Sequence, residues 1–459
     1  MRVLFATAEL APLVKVGGLG DFSAGFTRAL SSSGAEVEIV LPDYGGVLIE
    51  SESRLGLEVP AWCSPAMVKT TSFNGANLTL VAVPEMERPN PYVDGDGRPW
   101  PDNERRFLGF SAAVAAWVRH RRPDVVHLND WHTAAVPAFL DPLPPSLITI
   151  HNLAYQGNTD GAWLDLLPHH AERFELASET NPLAGGIALA DRVVAVSPNF
   201  VTETLPPNDG FGLGRILADR GDAYIGILNG IDTDVWDPGI DPYLGNHYNS
   251  SSIEVKDQLK ADLASSIGIE VGDGPLVGMV TRLTDQKGVD IALEAFESAV
   301  GDDGSMVLLG SGERELSDMA EAVSLRHHRR FHFRNGYDEE MAHRIFAASN
   351  LYLMPSRFEP AGLTQMQAMR YGAIPVVTDV GGLHDTVVDA DTDPDRGTGF
   401  VAADVSAVAV ADALTRAIAA WRSPERRAAI VTRGMGIDWS WDKPAQAYLD
   451  LYVRITSAR

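Results

Sequence analysis

The chain has 459 residues, 45% of them hydrophobic, a formal net charge of −25 and a single cysteine, Cys63. The length predicts two domains, the acidity argues against nucleic acid or an anionic membrane as a partner, and no apolar run reaches the roughly 18 residues of a membrane span. One cysteine excludes an intramolecular disulfide, so we expect a cytoplasmic protein.

The first half of the chain alternates short apolar runs with helical patterns. Strands are predicted at 3–7, 37–41, 78–83, 125–128, 147–150 and 193–196, and helices at 21–31 and 103–120. Strands separated by helices indicate a parallel, doubly wound sheet. The segment 160–179 fits no regular element.

A second alternation follows a stretch rich in Gly, Asp, Pro and Asn at about 229–249, which has the composition of a linker. Its strands are predicted at 276–280, 306–309, 331–333, 351–354 and 374–377. The fold class is therefore α/β, with two successive Rossmann-like halves. Such halves predict a cleft between them, and clefts of this kind are favoured ligand sites.

The segment 355–387 carries the strongest chemical signal. Glu359 follows the predicted strand 351–354, and Gly362, Leu363 and Thr364 open a helix. Ligands of parallel α/β sheets bind at the carboxyl ends of the strands, and a helix start offers backbone N–H groups to anions. A carboxylate for hydroxyl groups beside a seat for phosphate suits a sugar that carries a diphosphate.

Cations on two glycine-containing loops point to the same ligand. Lysine is scarce, with six residues, at 15, 69, 256, 260, 287 and 443, among 37 lysines and arginines. Lys15 and Lys287 both stand in predicted strand-to-helix loops. Arg282 and Lys287 share one loop, from which both can reach a diphosphate and stabilise charge on a leaving group.

Several strings recur in a familiar order along the chain. They are KVGGLGD at 15–21, NDWH at 129–132, HNLAYQG at 151–157, NGID at 229–232, RLTDQKG at 282–288, SRFEP at 356–360, GLTQ at 362–365 and SWD at 440–442. This set resembles the glycogen and starch synthases, which are retaining glucosyltransferases of the two-domain GT-B type, family GT5. The match in order and rough spacing covers nearly the whole chain.

The resemblance implies a GT-B fold with two Rossmann-like domains that face a central cleft. It implies an acceptor-side domain at 1–225, a nucleotide-sugar domain at 226–436, and a segment at 437–459 whose helix returns to the first domain. The partners it implies are a nucleotide sugar and an α-1,4-glucan. It implies no cofactor and no metal; the D-x-D string at 232–234 is therefore read as empty.

The resemblance also assigns roles to single residues. It implies that Glu359 holds the glucosyl ring, with His151, Asp130, Arg282 and Lys287 as the other catalytic residues. A nucleophilic Glu359, as in retaining hydrolases, is the alternative that we consider less favourable. The implied donor-binding residues are Lys15, Gly17, Gly18, Asp21, Asn229, Tyr337, Leu363 and Thr364. Tyr92 and Glu9 are candidates for the acceptor groove.

The expected activity is transfer of glucose from ADP-glucose to the non-reducing 4-OH of an α-1,4-glucan with retention. UDP-glucose as donor, or a short oligosaccharide as acceptor, is an open alternative, because adenine and uracil both stack on an aromatic ring. A second alternative is an inactive glucan-binding relative. One departure from the family pattern bears on the acceptor: Ala184 stands where relatives carry lysine.

Overall fold

The computed structural model describes residues 1–46, 53–95, 97–206, 210–300 and 304–458. They form two compact units, of which the first comprises Met1–Gly230 with Trp441–Arg459 and the second comprises Ile231–Ser440. Each unit has a sheet with a separate apolar core. No helix among these residues is long and apolar enough to cross a membrane.

The first unit begins with alternating elements and then departs from strict alternation. Its elements up to the end of its first stretch of chain are β1 (Arg2–Ala6), α1 (Gly18–Ser32), β2 (Glu36–Pro42), β3 (Ser53–Leu57), β4 (Ala66–Phe73), β5 (Ala76–Ala82), α2 (Asn103–Arg121), β6 (Val125–Asn129), α3 (Asp130–Ala134), β7 (Ser146–Ile150), β8 (Glu175–Leu176), β9 (Glu179–Thr180), α4 (Pro182–Leu189), β10 (Arg192–Ala195), α5 (Pro198–Thr204), α6 (Gly214–Ala218) and β11 (Tyr224–Gly226).

Among the described residues, nine strands of this unit form one sheet in the order β11-β10-β7-β6-β1-β2-β5-β4-β3. From β11 to β5 in this order, each strand is parallel to its neighbours. Strand β4, by contrast, pairs antiparallel with both β5 and β3. The expectation of a parallel sheet is therefore wrong at this edge. The edge strands were not predicted because neither contains a long apolar run, and in β4 only Ala66 and Val68 are buried.

The second unit alternates regularly. Its elements are α7 (Val255–Ile267), β12 (Leu276–Val280), α8 (Val289–Ala295), β13 (Ser305–Gly310), α9 (Arg314–Arg326), β14 (Phe331–Asn335), α10 (Glu339–Ala348), β15 (Leu351–Met354), α11 (Thr364–Arg370), β16 (Ile374–Thr378), α12 (Gly381–Thr386), β17 (Phe400–Ala402), α13 (Ala407–Arg422) and α14 (Pro424–Gly436). Within the described part of the chain, its six strands are all parallel, in the order β14-β13-β12-β15-β16-β17.

The chain then returns to the first unit through its last helix, α15 (Asp442–Ser457). This helix packs its apolar face into the core of the first unit. The hydroxyl of Tyr452 lies 2.6 Å from Nδ1 of His127 on β6, and the hydroxyl of Tyr448 lies 3.1 Å from that of Thr149 on β7. The helix is thus fixed to the two central strands by buried polar contacts as well as by apolar area.

Candidate active site

In the second unit, the predicted site residues Arg282, Lys287, Glu359 and Leu363 lie on loops that follow neighbouring strands. Strand β12 pairs with β15, and β15 pairs with β16, all in parallel. The loops 281–288, 355–363 and 379–380 therefore leave the same edge of the sheet, although they are far apart in sequence. This edge is where ligands of open parallel sheets bind.

Glu359 and Lys287 form a buried ion pair at this edge. Nζ of Lys287 donates to Oε2 of Glu359 at 2.5 Å, and the hydroxyl of Ser356 donates to the same oxygen at 3.0 Å. The exposed fractions of the two charged side chains are only 17% and 7%. Because such a pair loses its hydration, each charge needs the other to remain in place.

The surrounding side chains brace this pair. The amide of Gln286 donates to the carbonyl of Phe358 at 3.1 Å, and the guanidinium of Arg357 binds both oxygens of Asp290 at 2.9 and 2.7 Å. Arg282 lies on the same loop as Lys287 and is exposed. Its guanidinium makes no hydrogen bond or ion pair with any described residue and is therefore available to an anion, whereas its backbone carbonyl accepts from the N–H of Thr284 at 3.1 Å.

Glycines allow the three loops to touch through their backbones. A Cβ on Gly288, whose φ is +60°, would lie 2.1 Å from the carbonyl oxygen of Pro355. A Cβ on Gly381 would lie 2.0 Å from the carbonyl oxygen of Glu359, and the N–H of Gly382 donates to that oxygen at 2.9 Å. Any larger residue at these positions would push the loops apart.

The start of α11 lies directly after Glu359. Gly362 has a φ of +66°, Leu363 precedes the first helical residue, and the hydroxyl of Thr364 donates to the sulfur of Met354 at 3.1 Å. The first turn of a helix has backbone N–H groups without an intrahelical acceptor. Tyr337 follows Gly336 at the carboxyl end of β14, and 68% of its surface is exposed, which leaves a ring face accessible for stacking.

In the first unit, Glu9 holds the glycine-rich loop that precedes α1. Its Oε2 accepts hydrogen bonds from the N–H groups of Val16 at 2.7 Å and Gly17 at 2.9 Å, and its Oε1 accepts from the hydroxyl of Tyr92 at 2.8 Å. Glu9 is buried. Two predicted acceptor residues are thus joined to the predicted donor loop by one carboxylate.

Lys15 lies in that loop, and Asp21 lies in the first turn of α1. Nζ of Lys15 is 2.8 Å from Oδ1 of Asp21, and both side chains are partly exposed. Gly17 precedes α1, which begins at the exposed Gly18. The N–H of Gly17 already donates to Glu9, so of the two predicted glycine contacts Gly18 is the better placed to meet a phosphate.

Asp130, the first residue of α3, has an unusual backbone and an unusual carboxyl group. Its φ is +53°, a region that few non-glycine residues adopt. Its Oδ1 accepts from the N–H of His151 at 2.7 Å and of Asn152 at 3.4 Å. Burial nevertheless raises the pKa of Asp130 to about 7. Strain and a shifted pKa in one residue are typical of functional sites.

His151 has a defined tautomer. The amide nitrogen of Asn129 donates to the carbonyl of Ala6 at 2.9 Å, so Oδ1 of Asn129 is the atom that faces Nε2 of His151 at 3.0 Å. That contact requires a proton on Nε2, and burial lowers the pKa of His151 to about 3. Neutral His151 therefore presents Nδ1 as a hydrogen-bond acceptor.

Asn229 is buried near the end of the first unit's leading segment, and its Oδ1 has no hydrogen-bond partner among the described residues. An unsatisfied buried acceptor of this kind is costly without a ligand. The sequence reasoning missed Ser356 and Asn129 as site residues. Both stand within the matching strings, but only the contacts with Glu359 and His151 give them a role.

The described residues contain no group of three or more His, Cys, Asp or Glu side chains that could hold a metal ion. The D-x-D string at 232–234 therefore does not gather further ligands within that part of the chain. The resemblance implied no metal or cofactor, and that expectation stays a prediction.

Comparison with known proteins decides the family. The starch synthase catalytic domain family matches residues 2–219, and the glycosyl transferases group 1 family matches residues 265–434. The chain is 39% identical to the glycogen synthase of Halorhodospira halophila over 100% of both chains, and 40% identical to that of Alkalilimnicola ehrlichii over 98% of both. The chain belongs to the glycogen synthase family. It is a glycosyltransferase.

Solved structures agree with this membership. The catalytic domain of starch synthase IV from Arabidopsis thaliana, bound to ADP and acarbose, matches with a TM-score of 0.91 and 32% identity over 99% of both chains. Sucrose-phosphate synthase from Thermosynechococcus elongatus matches with a TM-score of 0.66 at 19% identity and supports the fold alone. The predicted GT-B fold of this glycogen synthase relative is confirmed.

Proposed function

We propose that the enzyme transfers glucose from ADP-glucose to the non-reducing 4-OH of an α-1,4-glucan with retention of configuration. The Glu359–Lys287 ion pair, with Ser356 on the same carboxylate oxygen, carries this proposal. It places a carboxylate for sugar hydroxyls next to a cation for phosphate. The family membership and the ADP bound to the Arabidopsis relative favour ADP-glucose as donor.

The bonding of Glu359 favours a positioning role over a nucleophilic one. Two donors already share its Oε2, and the ammonium of Lys287 neutralises its charge. A carboxylate in this state is a weak nucleophile, but its Oε1 can accept a hydrogen bond from a hydroxyl of the glucosyl ring. We expect Glu359 to orient the sugar while bonds break at C1.

Arg282 and Lys287 supply the electrostatic part of the reaction. Negative charge grows on the diphosphate as the glycosidic bond to the donor breaks, and preorganised cations stabilise that charge. In the retaining mechanism that we propose, the departing phosphate takes the proton of the attacking 4-OH. No side chain of the enzyme then needs to act as the base.

We propose that first-unit residues bind the sugars. Nδ1 of neutral His151 accepts a hydrogen bond from a sugar hydroxyl, and Asp130 accepts one from another hydroxyl when it is ionised. The phosphates are contacted by Lys15 and Gly18, and the nucleoside or sugar by Asp21 and Asn229. In the second unit, base and phosphate are bound by Tyr337, Leu363 and Thr364. Tyr92 and Glu9 remain candidates for the acceptor groove.

The remaining parts of this proposal concern organisation and partners. We assign acceptor-side chemistry to 1–225, nucleotide-sugar binding to 226–436, and the returning segment to 437–459. The net charge of −25 disfavours nucleic acid and anionic membranes as partners. The single cysteine agrees with a cytoplasmic location.

The test is to measure release of ADP and of UDP by the purified protein with glycogen and each nucleotide sugar in parallel. We expect glycogen-dependent ADP release that falls at least about 100-fold in Glu359→Gln. Glu270→Gln removes a carboxylate whose ion pair with Arg329 is exposed, and this control should retain activity. Release of UDP alone would change the donor, and no release from either would contradict the proposal.

A further inference from the structure

Gln365 is a fully buried amide that lies next to the proposed donor-binding segment. It is the second residue of α11, three residues after Gly362. A buried amide is costly unless it is hydrogen-bonded, and its bonds therefore report what it holds. The Gln365 side chain is bonded to the loop that precedes α11 and to the last residue of α12.

All the hydrogen-bond partners of Nε2 are acceptors. Nε2 lies 2.9 Å from the carbonyl oxygen of Gly362, 3.3 Å from that of Ala361, and 3.0 Å from the hydroxyl of Thr386. The hydroxyl of Thr386 donates its own proton to the carbonyl of Gly382 at 2.6 Å. It can only accept from Gln365, which fixes the orientation of the amide.

The loop before α11 and the helix α12, which Gln365 joins, are in close contact. A Cβ on Gly382 would lie 1.9 Å from the carbonyl oxygen of Ala361, and a Cβ on Gly362 would lie 2.5 Å from Oε1 of Gln365. The N–H of Gly382 donates to the carbonyl of Glu359 at 2.9 Å. The backbone of Glu359 and of Ala361 is therefore in direct contact with α12.

We propose that Gln365 is a positioning residue for nucleotide-sugar binding. Its amide, acting with the hydroxyl of Thr386, fastens the segment Glu359–Gly362 to α12 and so fixes the Glu359 carboxylate, which the proposed function assigns to the donor sugar. This inference rests on the proposed function of the same segment. Gln365 itself does not touch the donor in this role.

Two substitutions test the fastening, and a third is the matched control. Gln365→Glu replaces the donating nitrogen with an oxygen that faces three acceptors. Thr386→Val removes the bridging hydroxyl with little change in shape, whereas Thr386→Ser retains it. We expect the ADP-glucose KM to rise at least about fivefold in the first two, with the glycogen KM unchanged, and both constants to stay within about twofold in Thr386→Ser.

This pattern separates positioning from a merely structural effect. Loss of folded protein lowers apparent kcat and leaves both KM values unchanged, so thermal unfolding and active-site concentration are measured for each variant. If Gln365→Glu does not fold, Thr386→Val carries the test. An unchanged ADP-glucose KM in folded Thr386→Val, or an equal rise in both KM values, would overturn the inference.

Failure of the proposed function gives a different result. If the wild-type enzyme turns over UDP-glucose instead, the comparison is made with that donor. If it turns over neither, the proposed function fails, and calorimetric binding of ADP to the wild-type and Thr386→Val proteins tests Gln365 separately. Binding that is at least about fivefold weaker in Thr386→Val supports the inference. Equal binding, or none to the wild type, contradicts it.

Discussion

Asp130 combines a left-handed backbone with a carboxyl group whose pKa lies near 7, where the usual value is 3.8. Folding makes this carboxyl harder to ionise because burial removes it from water. The folded state therefore binds the proton more tightly than the unfolded chain. This tighter proton binding by Asp130 contributes fully to the stability of the folded state below about pH 3.8, and the contribution is lost as the pH rises through about 7.

We predict that Asp130→Asn stabilises the first unit while it lowers activity. Asn tolerates positive φ and its oxygen can still accept from His151, but it carries no buried charge. The gain in unfolding free energy has an upper limit of about 4 kcal/mol at pH 8.5 and is smaller at pH 5. Thermal unfolding at the two pH values measures it, and a gain that does not depend on pH would contradict it.

Lys287 is the second residue at which a single substitution is informative. In Lys287→Met the carboxylate of Glu359 stays buried with Ser356 as its remaining described donor. We expect the free energy of unfolding to fall by about 3 kcal/mol, and kcat to fall at least about 100-fold because a cation at the diphosphate is lost. Chemical denaturation and ADP release measure the two effects.

Lys69→Met is the matched control for that substitution. Nζ of Lys69 lies 2.6 Å from Oδ2 of Asp43, and the Asp43 side chain is as buried as Glu359, with 7% exposed in each. This pair lies in the first unit and includes none of the residues that we propose to contact phosphate. We expect a loss of stability with normal kcat. A similar fall in kcat in both variants would show that Lys287 acts only through folding.

The loop 281–288 shows how one glycine sets the approach of two strand ends. Gly288 combines a φ of +60° with a gap too small for a Cβ, because the carbonyl of Pro355 is in the way. We predict that Gly288→Ala lowers kcat/KM for the nucleotide sugar at least about tenfold, since Lys287 moves away from Glu359. Steady-state kinetics and the unfolding temperature measure the result.

Gly268→Ala is the control, because it also places alanine at a positive φ but causes no steric clash. Gly268 follows α7, its φ is +73°, and a Cβ there meets nothing within 4 Å. Positive φ costs a non-glycine residue about 1 kcal/mol. We expect a small loss of stability and unchanged kinetics, and equal kinetic losses in both variants would refute the argument.

The strands with continuous apolar runs were predictable, and the prediction at 351–354 agrees with β15 to the residue. Strands β3 and β4 were not, because half-exposed edge strands have no run of buried positions that marks them. The scarcity of lysine does not by itself indicate a phosphate-binding role. Lys256 is also buried, where it donates to the carbonyls of Ala347 and Tyr371 at 2.6 and 2.7 Å and stabilises two helix ends.

The sequence predicted which residue types lie in the loops at the strand ends, but not which of them contact each other. Glu359 and Lys287 are 72 residues apart, and the sequence placed each in a loop after a strand. That β12 and β15 are neighbours was not visible, so the direct ion pair was not predicted. The use of both Glu9 oxygens by Val16, Gly17 and Tyr92, and the acceptor character of His151, depend on contacts that no local pattern encodes.

The second unit is an insertion within the first, which gives a prediction for fragments. The N–H of Ile231 donates to the carbonyl of Trp439 at 2.8 Å, so the chain enters and leaves the second unit at one place. We expect a 231–440 fragment to unfold cooperatively on its own, because its cores contain only its own residues. Circular dichroism and calorimetry measure this.

A fragment of 1–230 should fail to fold, because it lacks the α15 residues Ala445, Tyr448 and Tyr452 that complete its core. The control is 1–230 joined to 441–459 by a flexible linker of about six residues. We expect this shortened chain to regain cooperative unfolding. A well-folded 1–230 fragment would show that α15 is dispensable.

The return of the chain through α15 also sets an order of events on the ribosome. Domains usually fold from the amino terminus as they emerge. Here the last helix of the first unit emerges only after all of 231–440, which takes roughly 10–40 s to translate. The unit whose synthesis starts first therefore completes its folding last. Until α15 emerges, strands β6 and β7 have an apolar face that is not covered. We therefore expect nascent chains of this enzyme to expose that face to chaperones for the whole interval.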